Sequence, residues 1–82
     1  MNHKEITLYF GDSFAGFEAE LHGFDTISIV LTEFQKNEEK SSFDHDYIET
    51  RFTTEVFVGV DEAKSIIKAL QYLVDENDRD AS

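Results

Sequence analysis

Apolar and polar residues alternate at the start of the chain, where Ile6, Leu8 and Phe10 fall on one side and Thr7 and Tyr9 on the other. A period of two is that of a half-buried strand. Gly11, Asp12 and Ser13 interrupt it with residues that favour turns. The alternation resumes from Phe17 to His22, with Phe17, Ala19 and Leu21 opposite Glu18, Glu20 and His22, so this strand has one apolar and one acidic face. A tight link at Gly23, Phe24 and Asp25 leads to a third strand, Thr26 to Phe34. That strand is apolar or β-branched on both sides and belongs in the interior of a sheet. Residues 35–46 turn polar and form a long loop, with Phe43 as its one apolar anchor. A fourth strand runs from Tyr47 to about Val60, with Ile48, Phe52, Val56, Val58 and Val60 alternating against Tyr47, Glu49, Arg51, Glu55 and Phe57.

After Val60 the period changes to that of a helix. Ala63, Ile66, Ile67, Leu70, Leu73 and Val74 fall at spacings of three and four and make one apolar stripe, with Lys64, Lys68 and Gln71 pointing away from it. Asp61 is placed to cap its first turn, and Glu62 complements the positive end of the helix dipole. Asp75, Glu76 and Asp78 crowd the other end, where the dipole disfavours anions. The pattern therefore predicts one domain over 1–76 and a disordered acidic tail over 77–82. The expected fold is α+β: an antiparallel meander of about four strands, with the C-terminal helix packed on one face. One helix about 10 Å wide leaves the opposite face of such a sheet bare. That bare face would carry Tyr9, Val30, Phe34 and Phe57 among Glu18, Glu20, Glu49 and Glu55.

Charge sharpens this picture. The 82 residues hold 18 Asp and Glu against seven Lys and Arg, a net charge of −11. Such a surface repels nucleic acid and anionic membranes over about 8–10 Å and attracts basic partners. With 40% apolar and 13% aromatic residues the chain folds rather than remaining a solvating tail. It has no cysteine, and no segment approaches the roughly 18 apolar residues of a membrane span, so a cytoplasmic location is expected.

Motifs of catalysis are incomplete. Phe10-Gly11-Asp12-Ser13 resembles, over four residues, the first block of the GDSL-type esterases, which imply a nucleophilic serine. The resemblance also implies a histidine three residues after an aspartate to take the serine proton, and Ala19 and Ser42 stand three before His22 and His45. Asp44-His45-Asp46 with Glu55 has the outer spacing of a calcium loop, but its fifth and sixth positions are Ile48 and Glu49 instead of an oxygen ligand and Gly. His3, His22 and His45 sit in separate elements without zinc-ligand spacing. Glu18 and Glu20 lie about 7 Å apart on an open face, where nothing raises one pKa to divide acid from base. The sequence thus points to no enzyme, no cofactor and no metal.

The reading that remains is a non-enzymatic acidic binding protein. Its carboxylates would take the place of phosphates on a basic, nucleic-acid-binding surface of a partner protein. Small inhibitors of phage origin directed at defence nucleases, and immunity proteins against nuclease toxins, share this size and charge. The residues expected to make the contact are Glu18, Glu20, Glu49 and Glu55, flanked by Glu38, Glu39, Asp44 and Asp46, with Tyr9, Phe34 and Phe57 as apolar anchors. The alternative is a structural or assembly subunit that forms a homodimer through the uncovered sheet face, its acidity serving solubility.

Overall fold

The computed structural model describes residues 4–81. Four antiparallel strands form one open sheet in the order β1-β2-β3-β4, followed by one helix. The strands are β1 (Lys4–Phe10), β2 (Ala15–His22), β3 (Thr26–Lys36) and β4 (Ile48–Gly59), and the helix is α1 (Val60–Ala81). The meander expected from the alternation is therefore what the chain adopts, with β3 paired on both sides. Gly11–Ser13 form a single 3-10 turn, closed by Phe14 in the left-handed region at φ 50°. The Gly23 φ of 63° makes the β2–β3 link possible at a residue without a Cβ.

Pairing places Ile6, Ala19, Ile29 and Val56 in one row across the sheet, and Leu8, Phe17, Leu31 and Thr54 in the next. These rows make one face apolar. The opposite face carries Glu5, Glu20, Ser28 and Phe57 in one row and Thr7, Glu18, Val30 and Glu55 in its neighbour. A register shift falls between Glu33 and Phe34: Glu33 faces Phe52 and Phe34 faces Thr50, so Arg51 is the extra residue of a bulge in β4.

The helix departs from expectation in three ways. First, it does not lie across the sheet. The molecule spans 46 × 44 × 20 Å, whereas four strands are only about 15–20 Å across, so the second long dimension is the helix projecting away. Ile67, Leu70 and Leu73 are each about 60% exposed, as are Ile6 and Phe52 on the apolar face. The cause lies at the junction, where α1 begins at the residue after β4, and a fold-back onto the sheet needs a connection of several residues. Second, the helix begins at Val60, and the cap is made by Glu62, whose carboxylate accepts the Gly59 N–H at 2.8 Å. Asp61 stays in solvent in the first turn, 3.9 Å from Lys64. Third, α1 continues to Ala81. Within its acidic end Gln71 donates to Asp75 at 2.8 Å and Arg79 pairs with Glu76 at 3.0 Å, contacts that offset the unfavourable dipole.

Among the described residues no large apolar side chain is buried, and Ser28 is the one buried residue. Phe43 does not pin its loop; it is fully exposed, as is Phe24 at the β2–β3 turn. The loop is organised by polar contacts instead. Asn37 accepts the Lys40 N–H through its side chain and the Ser41 hydroxyl through its carbonyl, and Ser41 Oγ accepts the Tyr47 N–H. No helix of the described residues is long and apolar enough to cross a membrane.

Candidate functional site

The polar face of the sheet gathers most of the residues singled out by sequence. In its first row Glu5 stands directly opposite Glu20, next to Ser28 and Phe57. In its second row Val30 separates Glu18 on β2 from Glu55 on β4. Rows on one face are about 7 Å apart and strands about 4.8 Å apart, so Glu18 lies within roughly one Debye length of each of Glu5, Glu20 and Glu55, while Glu5 and Glu55, at opposite edges of the sheet, are about 16 Å apart. Between them lies a shallow depression of about 170 Å³, lined by Glu5, Thr7, Glu18, Glu20, Ser28, Val30 and Glu55.

Aromatic rings close both ends of this acidic strip. At one end Tyr9 and Phe34 stack at 5.5 Å with a tilt of 38°. Phe34 reaches over Gly16 because that residue has no side chain; a Cβ there would stand 3.1 Å from the ring. At the other end Phe57 lies 5.9 Å from the His22 ring. The His22 Nε2 is 3.0 Å from the Ser28 hydroxyl and 3.6 Å from a Glu20 carboxylate oxygen. His22 is thus tied into the strip rather than simply solvated. It bridges a buried hydroxyl and one of the carboxylates.

Glu49 belongs elsewhere. Simple alternation along β4 puts it on the side of Glu55, but the extra residue Arg51 shifts the register by one, and a shift of one residue moves a side chain to the other face. Glu49 pairs with Gln35, and its two carboxylate oxygens accept hydrogen bonds from Gln35 at 3.1 Å and Asn37 at 3.3 Å. The bulge itself is held by Arg51 Nη1 donating to Glu33 Oε1 at 3.1 Å.

The loop acids Glu38, Glu39, Asp44 and Asp46 form a separate group. Lys36 lies six positions beyond Val30 along β3, which puts the loop about 20 Å from the Glu18 cluster. Lys36 Nζ contacts Asp46 at 3.1 Å and Glu38 at 4.0 Å. The hydrogen bond and charge of Asp46, with Glu38 beside it, raise the Lys36 ammonium above its ordinary value of 10.5. Asp44 accepts the Ser42 hydroxyl at 3.2 Å, and Lys40 lies 5.0 Å over the Tyr47 ring. Glu38, Asp44 and Asp46 thus make contacts within the loop and at its β3 end.

Glu5 is the residue that sequence reading missed, because its place depends on the hairpin register that sets Ile6 against Ala19. The side chains of the strip could recognise cationic groups by charge and flat apolar surface by ring contact. Among the described residues no group of three or more His, Asp or Glu side chains could hold a metal ion. Comparisons with protein-family models, curated proteins and solved structures find no match to this chain.

Proposed function

We propose that this chain is a non-enzymatic binding protein that lays its acidic strip on a basic surface of a partner protein, such as a nucleic-acid-binding channel. The observation that supports this reading is the gathering of Glu5, Glu18, Glu20 and Glu55 on one sheet face between two aromatic ends. Like charges set side by side on a sheet cost stability. A basic partner turns that cost into attraction and speeds the encounter, while desolvation of Tyr9, Phe34 and Phe57 supplies most of the affinity. The net charge of −11 extends the field well beyond the contact itself.

The test is a tagged pull-down from nuclease-treated lysate of the source organism, at about 50 mM and about 500 mM salt. The expected result is a basic, nucleic-acid-handling protein retained at low salt and weakened at high salt. Recovery of the bait by itself, or of partners indifferent to salt, would reject the reading.

A further inference from the structure

We propose that two copies of this chain associate by each laying the apolar stripe of its helix across the apolar sheet face of the other, with both acidic strips left outward. The chain is too open to be a complete folding unit. It exposes 7085 Å², whereas a compact monomer of 9.4 kDa exposes about 5,000 Å². Its radius of gyration is 16.7 Å, against about 12 Å for a compact domain of this length. The excess is about 2,000 Å² per chain, or about 4,000 Å² for a pair, which falls in the range of obligate homodimers.

The uncovered surfaces are of two kinds that fit each other. One is a helical stripe of Ile66, Ile67, Leu70 and Leu73, the other the sheet rows around Ile29 and Val56. On the apolar face an open concavity of about 520 Å³, lined in part by Ile6, Ala19, Leu21 and Ile27, offers room for such side chains. The chain's own helix is kept from this face by its junction, where Val60 donates to Asp25 and Gly59 to Glu62 immediately after the last strand residue. A second copy is the occupant that satisfies both surfaces in one step, because a two-fold axis makes each helix-to-sheet contact twice. A foreign partner would have to match a helix and a sheet face separately. This association uses the apolar face, not the acidic one, and does not depend on what the acidic strip binds. Two chains together carry −22, twice the single-chain charge of −11, so salt tightens the pair by screening its self-repulsion.

The experiment is sedimentation of the full-length chain from about 0.5 to about 50 µM, joined to isotope-filtered NMR on mixed labelled and unlabelled copies. The expected mass is twice 9.4 kDa, with contacts between the methyl groups of Ile67 or Leu70 in one copy and Ile29 or Val56 in the other. Leu70→Asp should raise the dissociation constant at least about 100-fold. A monomer throughout the range overturns the proposal, as would helix-to-sheet contacts confined within one copy or a dimer lacking them. The NMR result on the unaltered chain decides the matter if Leu70→Asp fails to fold.

Discussion

Replacing Glu18 with Gln removes one charge from the acidic strip while keeping the side chain's size and its place in the sheet. Glu18 stands about 7 Å from Glu20 along β2, about 7.5 Å from Glu5 on the diagonal and about 10 Å from Glu55 across two strands. In the dielectric of water these three repulsions amount to about 0.6 kcal/mol at physiological salt, about 1.2 kcal/mol at 0.01 M and about 0.1 kcal/mol at 1 M. Glu18→Gln should therefore stabilise the protein, raising Tm by about 2–5 °C at physiological salt. The gain should roughly double at low salt and vanish at 1 M. Thermal melts of the two proteins at the three salt concentrations measure it. A variant less stable than the parent, or a difference indifferent to salt, would mean that Glu18 makes a favourable contact within the fold. The strip would then not be a source of self-repulsion available to a partner.

Other predictions follow from single contacts. Glu62→Ala removes the acceptor of the Gly59 N–H and should cost about 1 kcal/mol in denaturant unfolding. Gly16→Ala puts a Cβ 3.1 Å from the Phe34 ring, which must give by a few tenths of an ångström against Tyr9; the ring-current shifts of Tyr9 report it, and unchanged shifts would refute the contact. Because Asp46 raises the Lys36 value, the ion pair's contribution is complete below the unfolded lysine value and is lost as pH rises through the higher folded one. Amide shifts of residues 37–46 should thus show no Lys36 titration between about pH 6 and 9, and Asp46→Asn should lower the Lys36 midpoint. Phe24→Ser and Phe43→Ser, at fully exposed positions, should change stability by less than about 0.5 kcal/mol.

Much of the sheet was legible because period-two alternation dictates both the strands and their faces. Ile6, Leu8 and Phe10 separate cleanly from Thr7 and Tyr9, and Phe17, Ala19 and Leu21 from Glu18 and Glu20. The same rule misplaced Glu49, since alternation has no sign for the extra residue at Arg51 that reverses the faces beyond it. It could not reach Glu5 either, whose neighbour Glu20 is set by hairpin register rather than by spacing within a strand. The helix stripe was plain in the sequence, but not what it would cover. That depends on the length of the β4–α1 junction, and the boundary between Gly59 and Val60 lies within a run of apolar residues that continues both elements. As the apolar residue of its segment, Phe43 has the pattern of a loop anchor; the Asn37 and Ser41 hydrogen bonds hold the loop instead.

The central claim, that the acidic strip meets a basic partner, is tested most directly by the association rate constant with the captured partner, followed by stopped flow. The parent chain and a Glu18→Lys, Glu20→Lys variant would be compared from about 20 to about 500 mM salt. The account predicts a rate for the parent that falls steeply with salt, and a variant slower at low salt by at least about tenfold, the two converging as salt screens the field. Equal rates for the two proteins at low salt would contradict it.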